Sequence, residues 1–390
     1  MLKQLNNKKI AVFRALDLRV VQAEYATAFK RLTGFFVSNQ QQEIAAFFKA
    51  NSRRWLRLSL RPWFILDPVS LITGKPNHQS WLEYEPKQLE LIIKKMDLCQ
   101  IQEPFFLYSG QVAKTAAKLN KPLITAPWMC FNHLSTYLPP YSFSVREVMA
   151  GTSLFIMRTQ RVNRYLDGFK IPGRKRVLVY HGVNPNRFCP GKKKPGDKVR
   201  VLFAGVLHQS KGINDLLAVW PQVIKAVGKK KAELVVCGQG AEAEKVKAMA
   251  KVWPIKFLGY VTNLKMPAVY QSADIFCGPS RDWFFLSVKR AEEGFGFVFA
   301  EAMASGLPIV TNECGTVKEV VGEQNFINRQ GDLKALAAAL ITLIKDQRLR
   351  QELGQVNRQR VLERFNLVRQ VKQEEQIFAK AGLISYDTNK

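Results

Sequence analysis

The chain has little histidine, a shortage of acidic residues and no closely spaced cysteines, and each lack excludes something. Its four histidines, at 78, 133, 181 and 208, are too dispersed for a histidine-rich metal cluster. The six cysteines (Cys99, Cys130, Cys189, Cys237, Cys277, Cys314) include no pair with the spacing of a zinc knuckle or a redox motif. Several end apolar strand-like runs, as in LVVC at Cys237, which points to buried free thiols and a reducing compartment. No Asp-x-Asp pair stands at a strand end, so no metal is expected. No apolar stretch approaches the ~18 residues that a bilayer-spanning helix needs. Lys3, Lys8 and Lys9 precede an apolar run that Arg14 cuts short, so no signal peptide is expected and the cytoplasm is the expected compartment.

What is present is positive charge. Lys and Arg number 59 against 31 Asp and Glu, a net +28 spread over both halves of the 390 residues. Apolar residues make up 47%, which excludes disorder over most of the length. The charge predicts anionic partners: nucleic acid, anionic lipid or phosphorylated small molecules.

The length predicts two domains. Short apolar runs alternate with amphipathic stretches, the pattern of βα units around parallel sheets. Strands are expected at 8–13, 121–127, 152–157 and 176–182, with helices over 20–33 and 103–119. The lysine-rich PGKKKPGDK reads as a linker, because it offers nothing to a core. Strands at 200–205, 232–240, 255–261 and 274–280 then alternate with helices at 212–227, 266–273 and 331–345. The expected organisation is an α/β N-terminal domain over 1–189, a linker at 190–198, a doubly wound domain over 199–365 and a helical tail at 366–390 that packs back on the first domain.

The most informative segment is EEGFGFVFAEAMASG at 292–306. Gly294-Phe295-Gly296 reads as a turn opening a helix, whose free backbone N–H groups suit an anion or a sugar hydroxyl. Glu293 precedes the turn and Glu301 lies in the following helix; carboxylates suit polyols because they accept from vicinal hydroxyls. In AGVLHQSKG (204–212) a strand ends at Gly205 and a loop carrying Lys211 leads into a helix, a phosphate-cradle arrangement. FLGYV at 257–261 places Tyr260 at a strand end, where it or its backbone would sit beside a base.

These motifs, with VVCGQG at 235–240 and ADIFCGPS at 273–280, follow one another as in the retaining glycosyltransferases of family four (group one), which the chain resembles over residues 200–365. The resemblance implies a GT-B fold: two Rossmann-like doubly wound domains facing a cleft, the acceptor on the N-terminal side and a nucleotide diphosphate sugar on the C-terminal side. It implies that Glu293 holds donor-sugar hydroxyls, helped by the backbone of Gly294, Phe295 and Gly296, and that Glu301 binds the ribose. Lys211 would bind the diphosphate, with Gly205, Tyr260 and Ser280 as further donor contacts. His133 is the candidate for the histidine that such enzymes place near the donor sugar. Val206 stands where the family commonly has a phosphate-binding arginine. Arg281, Lys289 or Arg290, in the extra stretch RDWFFLSVKRA (281–291), is expected to supply that charge, with Trp283, Phe284 and Phe285 either packing the stretch over the cleft as a lid or burying it against the N-terminal domain. The first strand runs into RALDLRVVQ in place of a glycine-rich turn.

The expected function is transfer of a hexosyl group with retention to an acceptor hydroxyl, in glycolipid, cell-envelope polysaccharide or glycan synthesis, with no metal and no other cofactor. The alternatives are a nucleic-acid-directed glycosyltransferase, against which no RNA-binding motif or stacking platform appears, and a non-catalytic membrane-associated scaffold. A lipid-linked or glycan acceptor would be met on the inner face of the cell membrane. Over residues 53–64, Arg53, Arg57 and Arg61 recur every four residues with Arg54, Trp55 and Trp63 nearby, so a short basic helix facing anionic lipid is expected there.

Overall fold

The computed structural model describes residues 8–14, 20–30, 32–38, 55–57, 59–62, 82–128, 136–191, 198–285 and 288–383. The chain divides into two units, residues 1–182 with 367–390, and residues 183–366.

In the first unit β1 (Lys9–Phe13), α1 (Val20–Thr27) and β2 (Thr33–Ser38) are followed by β3 (Trp55–Arg57), β4 (Leu60–Pro62) and β5 (Leu82–Tyr84). Then come α2 (Pro86–Lys94), β6 (Leu98–Ile101), α3 (Leu107–Lys118), β7 (Leu123–Thr125), α4 (Tyr141–Gly151), β8 (Thr152–Met157), α5 (Val162–Asp167) and β9 (Arg176–Leu178). Seven of these strands form a parallel sheet in the order β3-β2-β1-β6-β7-β8-β9, and β4 pairs antiparallel with β5. The order reverses between β1 and β6, since the chain winds outward in both directions from them.

Two expectations fail here for the same reason. The helix expected over 20–33 ends at Thr27, because Thr33 to Ser38 has the β-branched and aromatic content of a strand and pairs with β1 along its whole length. Gly34 permits the turn back: a Cβ there would lie 2.0 Å from the Ala26 carbonyl oxygen. The basic helix expected at 53–64 is replaced by the two short strands β3 and β4. β3 pairs with β2 and β4 with β5, so Arg57 and Arg61 lie on different strands and form no four-residue stripe. Arg53, Arg54 and Trp63 lie outside the described residues, as does His133.

The second unit runs through β10 (Val199–Ala204), α6 (Ile213–Val227), β11 (Ala232–Cys237), α7 (Ala243–Ala250), β12 (Ile255–Gly259), α8 (Met266–Gln271) and β13 (Ile275–Gly278). It continues through β14 (Trp283–Phe285), β15 (Val288–Ala291), α9 (Phe297–Ala304), β16 (Ile309–Asn312), α10 (Val317–Val321), β17 (Phe326–Asn328), α11 (Leu333–Lys345) and α12 (Gln347–Arg364). Its six-stranded parallel sheet has the order β12-β11-β10-β13-β16-β17, the doubly wound arrangement with its switch point between β10 and β13. The amphipathic α6 buries Leu216, Trp220, Val223 and Ile224 against β10, β11 and α11. Residues 183–189 belong to this unit because Arg358 of α12 donates to the carbonyls of Pro185, Phe188 and Ala304.

The final helix, α13 (Leu367–Lys380), belongs to the first unit. Leu367, Val371 and Phe378 pack with Ile10, Phe29, Leu98 and Ile124. Its Glu375 accepts the backbone N–H groups of Lys30 and Leu32 at 2.9 and 3.0 Å. Its Glu374 pairs with Arg158, both essentially without solvent exposure, and accepts the Tyr25 hydroxyl as well.

Among the described residues, Cys99, Cys237, Cys277 and Cys314 are buried free thiols and Cys189 is half-buried. Burial pushes Cys99, Cys237 and Cys314 up to about 12 and Cys277 above its ordinary value. Since the thiolate is the nucleophile, these four should resist iodoacetamide in the native protein at pH 8 under conditions that label the urea-unfolded chain fully. Peptide mass mapping checks this; rapid labelling of any of the four would contradict their burial. No helix among the described residues is long and apolar enough to cross a membrane.

Candidate active site

The site of the second unit is built where β10 and β13 end side by side. Gly212 starts α6 with φ of 70°, and a Cβ on it would lie 1.8 Å from the Pro279 carbonyl oxygen. Only glycine lets the loop after β10 press so closely on the loop after β13. Asn312 at the end of β16 donates to the same Pro279 carbonyl at 3.0 Å, and Thr311 donates to the Gly278 carbonyl at 2.9 Å. These bonds fix the β13 loop from its other side. Replacing Gly212 with alanine is expected to destabilise the unit by at least the ~1–3 kcal/mol of a strained backbone. Urea unfolding of the variant would check this.

Lys211, Ser280 and Glu293 are brought together. The Lys211 ammonium donates to Glu293 Oε2 at 2.7 Å, and the Ser280 hydroxyl donates to the same oxygen at 2.9 Å. Glu293 and Ser280 are buried, whereas the Lys211 side chain is 35% exposed. The Glu293 carbonyl accepts the Thr316 backbone N–H at 3.0 Å, and a Cβ on Gly315 would lie 2.0 Å from it, so the carboxylate is carried on a fixed backbone. Gly296, with φ of 68°, begins α9 and aims its first backbone N–H groups beyond the helix start. The arrangement juxtaposes a cation, a carboxylate and a helix N-terminus. It can neutralise a phosphate and accept hydroxyl hydrogen bonds within one small region.

Residues 198–346 match the family model described as glycosyl transferases group 1. The match lies within the second unit and covers less than half of the 390 residues. A phosphatidyl-myo-inositol mannosyltransferase of Mycobacterium leprae is 33% identical over 186 residues, 46% of this chain and 47% of that protein. A sulfoquinovosyl transferase of Arabidopsis thaliana is 23% identical over 288 residues, 68% of this chain and 53% of that protein. The chain thus spans about half the length of the curated relatives it matches. A crystal structure of Anabaena HepE in complex with UDP and glucose superposes with a TM-score of 0.73 at 15% identity, covering 96% of this chain and 100% of that one. Sucrose-phosphate synthase from Thermosynechococcus elongatus gives 0.69 at 16%, covering 97% and 100%. These likenesses show the fold, two Rossmann-like α/β units of GT-B type.

The other expected residues are distributed unevenly. Glu301 is buried on α9 and accepts the hydroxyl of Tyr270, itself fully buried, at 2.9 Å. Tyr260 follows β12 and is 61% exposed. Phe295 turns its ring into the core against Phe297 and Phe365, so only its backbone is presented at the turn. Gly205 follows β10 and donates its N–H to the Cys237 carbonyl.

The stretch after Ser280 is a two-stranded antiparallel hairpin, β14 with β15. Arg281 Nε forms an ion pair with Asp215 at 3.2 Å, and its backbone N–H donates to the Ser210 carbonyl, beside Lys211. Burial pushes the Asp215 carboxyl above its ordinary value, and Arg281 pulls it the other way. Lys289 sits between Asp282 and Glu292 at 2.7 and 2.8 Å; although burial opposes its charge, these hydrogen bonds hold its pKa up. Its charge is therefore already matched by two carboxylates. The Arg290 side chain lies outside the described residues. Trp283 meets His208 edge to face at 5.2 Å, and His208 caps the turn that carries Lys211 by accepting from the Ser210 N–H. Sequence reasoning missed this chain of contacts from hairpin to phosphate loop, because none of its members belongs to a recognisable spacing.

Among the described residues, no group of three or more His, Cys, Asp or Glu side chains is placed to hold a metal ion.

Proposed function

We propose that the protein is a retaining glycosyltransferase moving a hexosyl group from a nucleotide diphosphate sugar to an acceptor hydroxyl. The observation that carries this is the Lys211–Glu293–Ser280 cluster beside the start of α9, at the switch point of a group 1 glycosyl transferase domain. The UDP held by the structurally similar HepE supports a uridine or related nucleotide in the second unit.

When the donor binds, the Lys211 ammonium exchanges its Glu293 partner for the diphosphate, and Glu293 turns its oxygens to the sugar hydroxyls. The bond from the anomeric carbon to the diphosphate oxygen breaks and the acceptor oxygen bonds to the same face. The acceptor proton leaves with the diphosphate. Lys211 and the backbone N–H groups at the start of α9 stabilise the charge on the departing group, so the reaction is proposed to need no metal. Glu301 takes the ribose, and the backbone of Gly294 to Gly296 completes the sugar site. The first unit takes the acceptor. A relative named as a phosphatidyl-myo-inositol mannosyltransferase and a net charge of +28 support a lipid-linked or envelope glycan acceptor met at the inner face of the cell membrane.

A panel of nucleotide sugars tests the reading by thermal unfolding. The correct donor at ~100 times its dissociation constant should stabilise the folded state by about 2.7 kcal/mol. Product anomers assigned by NMR test retention, and activity in EDTA tests the metal-free route. If no nucleotide or nucleotide sugar shifts the midpoint, the proposal fails.

A further inference from the structure

The first unit ends five strands of its sheet in polar or aromatic side chains that donor binding leaves unused. Arg14 follows β1, Gln102 and Glu103 follow β6, Trp128 follows β7, Arg158 follows β8 and His181 follows β9. β1 and β6 are the adjacent strands where the order reverses, and open α/β sheets bind ligands outside the carboxyl ends of such strands.

Arg14 is the unusual member. It is 8% exposed, yet its Nε and Nη2 atoms are buried without a hydrogen-bond partner among the described residues. These two nitrogens share one edge of the guanidinium, the edge that grips a carboxylate or phosphate through two parallel hydrogen bonds. The group lies over the Trp128 ring, 4.6 Å from its centre. Trp128 is itself fixed: its backbone N–H donates to Glu103 at 2.8 Å and its ring meets His181 edge to face at 4.8 Å. The Tyr84 hydroxyl donates to the Arg14 carbonyl at 2.6 Å and holds the backbone.

Burial lowers the Arg14 pKa to about 10, with Tyr108, Glu103 and Tyr84 raising it and Arg158 lowering it, so the group is a cation at neutral pH. Burial, Arg158 and Arg14 together push His181 well below its ordinary value and keep it neutral. Glu103 sets an opposite charge near Arg14, but no described residue hydrogen-bonds the Nε/Nη2 edge. A buried cation without hydrogen bonds on one edge is costly unless something fills that edge. In sequence, Arg14 stands where the resemblance implies a glycine-rich turn, so a side chain takes the place of bare backbone.

We propose that the Nε/Nη2 edge of Arg14 receives an oxyanion of the acceptor, a phosphate or a carboxylate, and that the first unit thereby selects anionic acceptors. This rests on reading the first unit as the acceptor side.

The test titrates the full-length protein with glycerol 3-phosphate and with glucuronate, both in saturating UDP so that phosphate sites in the second unit are filled. Glycerol and glucose serve as neutral counterparts. At least one anion should bind wild type, and its affinity should fall about tenfold or more in Arg14→Met, as expected for losing hydrogen bonds to a charged group. Arg14→Lys, which keeps the charge and loses the fork, should fall between them. Whether glycerol 3-phosphate or glucuronate binds tells phosphate from carboxylate. The thermal midpoint of Arg14→Met should equal or exceed that of wild type, because the substitution removes a buried charge with an open edge. Failure of both anions to bind wild type, unchanged affinity in Arg14→Met, or a lowered midpoint for that variant overturns the proposal. UDP binding to wild type, measured in the same samples, reports on the donor site separately; its absence would sink the donor reading and leave the Arg14 result standing on its own.

Discussion

Lys211→Met is expected to lower kcat for sugar transfer by about 10²–10³-fold, the scale of removing one group that stabilises developing charge. The ammonium is partly exposed and is held at 2.7 Å by a buried carboxylate, so it is positioned before any ligand arrives. Its charge does most where negative charge grows, on the departing diphosphate, and less in the ground state. The loss should therefore fall mainly on kcat. Glu293→Gln should also reduce kcat more than it weakens nucleotide binding, since its contacts to the sugar strengthen as the sugar distorts. Glu301→Gln should raise the donor KM with kcat nearly kept, because ribose contacts are similar in ground and transition states. Steady-state kinetics with the donor found by the panel separates the three. A Lys211→Met enzyme within threefold of wild type would remove Lys211 from the mechanism. Equal kcat losses for the two glutamate variants would undo their division of roles.

The second large effect is on stability. Glu374→Ala is expected to destabilise the first unit by about 3–5 kcal/mol, because it strands the buried charge of Arg158. Arg158 is 2% exposed and Glu374 is fully buried, and Arg158 also donates to the Val179 carbonyl. Burial and the Glu374 carboxylate raise the Tyr25 phenol well above its ordinary value, so it stays protonated and donates to that carboxylate. Losing Glu374 would therefore unsatisfy two buried groups at once. Arg158→Met combined with Glu374→Met should recover much of the loss, since a buried pair replaced by packed apolar groups is often neutral. Urea unfolding of the two variants measures this. A Glu374→Ala protein within 1 kcal/mol of wild type would show that the pair is bypassed.

The two predictions bear on different levels of organisation. The Lys211 site is local in sequence terms: a loop, a turn and a helix start, each announced by glycines and carboxylates in a fixed order. The Arg158–Glu374 pair joins residues 216 positions apart and depends on a helix that leaves the second unit and completes the first. No spacing rule connects them.

Sequence alone determined the α/β class and the strands at β1, β8, β10, β11 and β13, while the grouping of Lys211 and Ser280 with Glu293 was implied by the family resemblance. These follow from local causes: continuous apolar runs bury strands on both faces, and glycine at 212 and 296 supplies the positive φ that starts each helix. Tertiary structure alone decided the rest. It added the strand at 33–38 and made strands of 55–57 and 60–62, because pairing with neighbouring strands outweighs the helical spacing of the arginines in a short window. It folded 281–291 into a hairpin whose Trp283 rests on His208, and it spent the Lys289 charge on Asp282 and Glu292. It also gathered Arg14, Trp128, Arg158 and His181 at the ends of four parallel strands. Residues so far apart in the chain meet only because each follows a strand, and the end at which strands of a parallel sheet deliver their side chains is a property of the sheet, not of any segment.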